Sequence, residues 1–265
     1  MNTRDIVPGD RIFALFKGDP KTGKSCAAAS FPRPYILDTD GRIRSVAKMF
    51  PSKDVEYDTF IDFWDVCIKL QALVQRCDYQ TVVVSSLTSL ANLAIEYSLK
   101  FRGVSDSDEQ KRKSELKRGN LALTEVSDWG VEFRGLSKVL DCLKALPCHV
   151  ILEAHVLEVT RENIMKGTTT ISRSLMTGGK KIAAYLPTAF DEAYHFYVDS
   201  PMSPGERPRF KVATVHMGDD WAGTVLPLPP IIDWTHRNLY EVIQSYLRNP
   251  YVPGLPEGAK IGVIP

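Results

Sequence analysis

Residues 18–25 read Gly18-Asp19-Pro20-Lys21-Thr22-Gly23-Lys24-Ser25 and satisfy G-x-x-x-x-G-K-[ST] at every fixed position. The pattern constrains the fold because it works only as a strand-to-helix turn around an anion. Glycines let backbone N–H groups turn inward where a side chain would intrude. Lys24 brings a positive charge to the β/γ-phosphates, and the Ser25 hydroxyl is a hard oxygen ligand suited to Mg²⁺. The flanks agree: the apolar run Ile12–Phe16 precedes the motif, and the Ala-rich stretch Cys26–Ser30 follows it. The expected nucleotide-binding set is therefore Gly18, Asp19, Pro20, Lys21, Thr22, Gly23, Lys24, Ser25 and Cys26, with ATP and Mg²⁺ as ligands.

Three more short apolar runs follow, at Pro34–Leu37, Thr81–Val84 and Cys148–Leu152. Their apolar character is continuous, which suits strands buried on both faces of a parallel sheet. Helical periodicity fills the gaps. A helix near 60–75, capped by Asp58 or Thr59, would bury Phe63, Val66, Cys67, Leu70 and Val74. Further helices are expected over Leu87–Lys100 and over Thr124 to Leu146, the latter with Leu136, Val139, Leu140 and Leu143 on one face. Strand–helix alternation predicts one α/β domain with a mostly parallel twisted sheet, helices on both faces and a C-terminal β-hairpin from 190–198 and 209–216. The domain is expected over 1–248. A Pro/Gly-rich tail follows over 249–265.

Composition narrows the partners. The chain has 33 Lys plus Arg against 32 Asp plus Glu, a net charge of +1, so a nucleic-acid site has to be local. No apolar run approaches the roughly 18 residues that span a bilayer, and the N-terminus has no apolar core after its charges, so no membrane contact or export signal is expected. The five Cys show no CxxC pair and read as reduced, mostly buried thiols of a cytoplasmic protein. Residues 102–120 are nearly devoid of large apolar groups, and their basic cluster suits either a solvated face or a partner contact. Residues 158–181 form a long polar segment rich in Thr and Gly, which reads as a loop. Arg161, Lys166, Arg173, Lys180 and Lys181 make it a candidate for single-strand phosphate contacts, although a mobile surface loop has the same composition. Asp38 and Asp40 end the second strand. They serve either as carboxylates facing the phosphates or as caps of the next helix.

Four segments in order carry a resemblance: GDPKTGKS, ILDTDG, TVVVSSLTSL, and HVILEAHVLEVT with its continuation to SLMTGGKKIAAYLP. Together, over about residues 10–235, they resemble the RecA-like recombinase core in the short single-domain form encoded by bacteriophages as single-strand annealing or nucleotide-binding proteins. The resemblance implies a catalytic carboxylate at Asp40. It also implies a γ-phosphate-sensing polar residue at His155, DNA contacts from the segment after it, and self-association into a ring or filament. A single-strand binding protein is an implied partner, and the cytoplasm of the host cell the implied location. Ser85 stands where the family has its acidic metal ligand, leaving Ser25 and Ser85 as the metal-side residues and weak turnover as the expectation. An Asp at 85 is accordingly expected to raise the rate. Lys211 and His216 are the cationic candidates for reaching a neighbour's nucleotide. Two alternatives differ in class: a nucleotide-holding assembly protein without significant turnover, which Ser85 favours, and another phosphate-loop enzyme such as a kinase or packaging motor.

Overall fold

The computed structural model describes residues 11–49, 54–101, 126–163, 168–201, 203, 205–217 and 221–253. An eight-stranded sheet runs through them in the order β10-β9-β8-β1-β5-β4-β2-β3. Its strands are β1 (Phe13–Gly18), β2 (Pro34–Asp38), β3 (Glu56–Thr59), β4 (Thr81–Ser85), β5 (His149–Ala154), β8 (Glu192–Asp199), β9 (Arg209–Ala213) and β10 (Ile231–Asp233). The six from β8 to β3 are parallel, and β9 and β10 add antiparallel to the β8 edge.

The apolar runs are continuous because each strand feeds two cores. Phe13, Leu15, Val82, Val84, Val150 and Leu152 point to one face, where they meet α3 (Phe63–Gln75), α4 (Leu87–Phe101), α5 (Val126–Ala145) and α6 (Lys180–Tyr185). Ile12, Ala14, Phe16, Val83 and Ile151 point to the other, against α1 (Lys24–Ala29), α2 (Arg44–Met49) and α7 (Leu239–Arg248). This is the period-2 alternation of a pleated strand with both sides dry. Truncating one such fully buried side chain, for example Leu15, costs about 2–5 kcal/mol.

The four expected strands and three expected helices are present, with differences at their edges. The cap of α3 is Asp62, whose side chain accepts from Trp64 N at 2.8 Å, while Asp58 and Thr59 belong to β3. Leu73 is buried in place of Val74, which is 36% exposed. The Pro-rich stretch after Trp221 covers the sheet edge by contributing β10, and α7 is an element with no counterpart in the sequence reading. Cys26, Cys67, Cys77 and Cys142 are half-buried and Cys148 is buried, so the thiols are less enclosed than expected.

The segment read as a long polar loop is largely a β-hairpin. Strand β6 (Val156–Asn163) pairs antiparallel with β7 (Thr168–Leu175) in register from Val156 against Leu175 to Asn163 against Thr168. Thr is a strong strand former. The run Thr168-Thr169-Thr170-Ile171 supplies the β-branched content that an average polarity conceals. The basic cluster of 102–120 and the tail from 254 lie outside the described residues. Among those described, no helix is long and apolar enough to cross a membrane.

Candidate nucleotide site

The phosphate loop leaves β1 at its carboxyl end, between β5 and β8. Gly18 has φ +151°, and a Cβ there would lie 2.3 Å from the Phe196 carbonyl oxygen, so only glycine fits against β8. Gly23 has φ +87°, and a Cβ would lie 2.9 Å from the Trp234 ring. Trp234, packed on Phe196 and Phe210, is thus the floor under the loop. Asp19, Pro20 and Lys21 form the exposed crest, while Thr22 is buried and donates to the Asp19 carbonyl at 2.8 Å.

Lys24 is buried, and its ammonium donates to the carbonyls of Gly18 at 2.9 Å and Asp19 at 2.8 Å. Burial pulls its pKa down, while the carboxylates of Glu153, Asp19 and Asp40 act in the other direction. Its charge is held inside the turn, where phosphate oxygens would replace the carbonyls.

The strand order β1-β5-β4-β2 lines up the carboxyl ends that face the loop. Glu153 on β5 sits opposite Phe16 of β1 and is buried. One carboxylate oxygen, Oε2, accepts from Ser25 Oγ at 2.7 Å and from Ser85 Oγ at 3.1 Å. The other, Oε1, is buried without a hydrogen-bond partner. Burial pushes the Glu153 carboxyl up to about 7, against the pull of Ser25, Lys24 and Ser85. The same burial, aided by Glu153, pushes the Cys26 thiol up to about 11, so Cys26 is an inert lining residue. Sequence reading missed Glu153. Its signal was a lone carboxylate inside the apolar run HVILEA, a position where charge is costly unless it has work to do.

The two aspartates of β2 divide. Asp38 accepts from the backbone N–H groups of Asp40, Arg42 and Ile43 at 3.1–3.2 Å, so it caps the turn into α2. Asp40 is half-buried, accepts from Ser86 Oγ at 3.0 Å, and is close enough to Lys24, Glu153 and His155 to act on each electrostatically. His155, the single residue between β5 and β6, is half-buried, and burial followed by the nearby Lys24 lowers its pKa. Its Nδ1 is buried without a partner. Asp40, His155, Lys24, Ser25 and Ser85 thus converge on one site.

The expected DNA contacts fall on the hairpin that follows His155 and on the helix after it. Arg161 is on β6 opposite Thr170, and Lys166 falls outside the described residues. Arg173 on β7 pairs with Glu158 at 3.6 Å, a half-exposed pair of little energetic weight. Lys180 and Lys181 open α6, both exposed. The hairpin's return is anchored by Glu132 of α5, whose carboxylate accepts from Gly178 N at 2.9 Å. Lys211 is salt-bridged to Asp199 on the paired strand, and His216 is exposed.

A phosphate loop at the end of a parallel strand, with polar residues on three neighbouring strand ends, defines a phosphate-loop nucleotide-binding α/β protein. The chain belongs to the AAA domain family, AAA_24, whose model matches residues 11–212. Its fold is a phosphate-loop α/β domain with a mostly parallel sheet and antiparallel C-terminal strands, and the family implies nucleotide binding. Among solved structures it is similar to a KaiC-like protein of the hyperthermophilic archaeon Pyrococcus horikoshii OT3, at 12% identity and a TM-score of 0.41, over 76% of this chain and 77% of that one. A comparison with curated proteins finds no match.

Proposed function

We propose that the chain binds ATP with Mg²⁺ in the phosphate loop, hydrolyses it weakly, and uses the nucleotide to set single-strand DNA binding by the β6–β7 hairpin. In this reading it is a phage recombination protein of the host cytoplasm that binds or anneals single strands. It self-associates into a ring or filament and meets a single-strand binding protein. One observation carries the coupling: His155 lies within electrostatic reach of Lys24 and Asp40 at the phosphate loop and joins β5 to the first strand of the hairpin. Its carbonyl accepts from Met176 N at 2.8 Å, so it also holds the hairpin's return.

Within this reading Lys24 binds the β/γ-phosphates and Ser25 offers the metal a hydroxyl oxygen. Mg²⁺, when bound, neutralises charge on the transferring phosphoryl group. Asp40 acts as the base toward the attacking water, its orientation fixed by Ser86 Oγ. The unpartnered Nδ1 of His155 is the group available to a γ-phosphate oxygen. A γ-phosphate oxygen held by that ring would act on the residue that joins β5 to β6, and through it the nucleotide would bias the hairpin.

A second reading, a nucleotide-holding assembly protein without significant turnover, is favoured by Ser85 at the expected acidic position. One experiment separates the two. Single-strand DNA affinity is measured without nucleotide, with ADP and with a non-hydrolysable ATP analogue, alongside turnover with and without DNA. Tighter binding with the analogue supports the coupled reading. Equal affinity in all three states removes the coupling, and no DNA binding in any of them leaves the assembly reading.

A further inference from the structure

We infer that Glu153 is the acidic residue that holds Mg²⁺ beside Ser25, so that the carboxylate absent from β4 has moved one strand over to β5. The inference rests on nucleotide binding in the phosphate loop as proposed above and names a residue that reading lacked.

The argument begins with register. β4 and β5 pair in parallel with Val84 against Leu152, so Ser85 and Glu153 are the next pair on the same level. Their side chains meet, Ser85 Oγ donating to Glu153 Oε2 at 3.1 Å. Because β5 lies between β4 and β1, a carboxylate on β5 starts one strand nearer the phosphate loop than one on β4. It reaches the Ser25 hydroxyl directly, at 2.7 Å.

Burial points the same way. Glu153 is only 2% exposed, and a carboxylate so enclosed is costly unless paired or coordinating. Two hydroxyls occupy Oε2, while Oε1 has no partner. Lys24, the nearest cation, spends its bonds on the carbonyls of Gly18 and Asp19. A small divalent cation is the partner that such an oxygen lacks. Mg²⁺ is bound through one or two carboxylates together with hydroxyl and phosphate oxygens, which matches Glu153 and Ser25 beside the phosphate loop. Ser85 then has a part consistent with its chemistry: its hydroxyl orients the Glu153 carboxylate, and its small size leaves room for it. An Asp at 85 would put a second carboxylate where the Ser85 hydroxyl now meets Glu153. The rate gain expected from Ser85→Asp alone therefore turns into a penalty, and the change becomes useful only when Glu153 is neutralised.

The test reads nucleotide affinity and needs no turnover. A fluorescent ATP analogue is titrated into the full chain in excess EDTA and in excess MgCl₂, and the ratio of the two affinities is the metal enhancement. Glu153→Gln keeps shape and should bind in EDTA within about threefold of the parent, while its enhancement falls by roughly 10- to 100-fold, the range for groups that support a metal site. The double variant Ser85→Asp/Glu153→Gln, which returns a carboxylate to β4, should regain most of it, and it carries the test if the single variant does not fold. An undiminished enhancement in Glu153→Gln, or no recovery in the double variant, overturns the assignment. So does a parent that binds the analogue equally well in EDTA and MgCl₂. A parent that binds no nucleotide in either buffer is a different failure, which removes the proposed function and this assignment together.

Discussion

Replacing Lys24 by Ala or Met tests the centre of the site, and its magnitude follows from the contacts Lys24 already makes. The ammonium donates to two carbonyls, at 2.9 and 2.8 Å, from a buried position. Bonds from a charged donor contribute about 1.5 kcal/mol or more each, but burial of the charge offsets much of that. The carbonyl of Asp19 sits on the exposed crest, where water can replace the lost donor. The net stability change should stay below about 2 kcal/mol, which for a domain of this size is a melting shift of at most roughly 4–8 °C. The nucleotide complex has no such compensation. Its phosphates would face a dry turn without their fixed cation, a loss of about 2–5 kcal/mol, or roughly 30- to 5,000-fold in affinity. The assay pairs a thermal melt with titration of a fluorescent ATP analogue, and Lys24→Met controls for the apolar stem. A variant that folds and binds within about threefold of the parent would refute the reasoning, because the phosphates would then not lie at Lys24.

Asp40→Asn should lower turnover at least tenfold in single-turnover assays while leaving nucleotide affinity within about threefold, since a base acts on the attacking water and not on the bound ground state; loss of binding instead would make Asp40 structural. Gly23→Ala should weaken nucleotide binding and lower the melting temperature, because φ +87° and the Trp234 ring 2.9 Å from the new Cβ together cost about 1–3 kcal/mol; an unchanged melt would show that the loop relaxes freely. Neutralising Arg161, Lys166, Arg173, Lys180 and Lys181 together should flatten the salt dependence of single-strand binding by about 0.7 in log–log slope for each phosphate contact removed, equally for all sequences tested; an unchanged slope would place the DNA elsewhere. Glu192 is buried under hydroxyls of Tyr194 and Thr224, and burial raises its pKa above the ordinary range. The folded state then holds its proton longer than the unfolded state. Its contribution is present at low pH and is lost as pH rises through the raised value, so melts of the parent between pH 4 and 7 should decline relative to Glu192→Gln. Parallel pH profiles would show that Glu192 titrates normally.

The parts of the fold legible in the sequence were those with a local cause. The phosphate loop needs glycines at fixed positions, and strands buried on both faces need apolar residues at every position, so β1, β2, β4 and β5 stood out as runs. The helix stripes of α3, α4 and α5 were equally local, with errors of a residue or two where a cap competed: Asp58, Thr59 and Asp62 are all plausible caps, and only the placement of β3 decides among them. The β6–β7 hairpin was misread because average polarity suggested a loop. Its Thr side chains favour a strand, and the partner strand that satisfies its backbone is visible only once the chain folds back. The short edge strands β3 and β10 take their identity from the sheet they join, and their sequences carry little of the signal.

The acidic side of the site was illegible for a different reason. Resemblance assigns roles by position along the chain, strand by strand, and on that basis Ser85 is a vacancy. The metal, however, responds to where an oxygen sits in space. Two parallel strands in register place Ser85 and Glu153 at one level, separated by 68 residues in sequence but by 3.1 Å between side-chain oxygens. An exchange of carboxylate and hydroxyl between such partners preserves the charge beside Ser25 while changing both motifs. Read singly, each change weakens the case for metal-dependent chemistry: a serine for an acid on β4, and an unexplained acid in the core run of β5. Read as a pair across the ladder, each accounts for the other, and a charge that would otherwise be an expensive burial acquires a reason to be there.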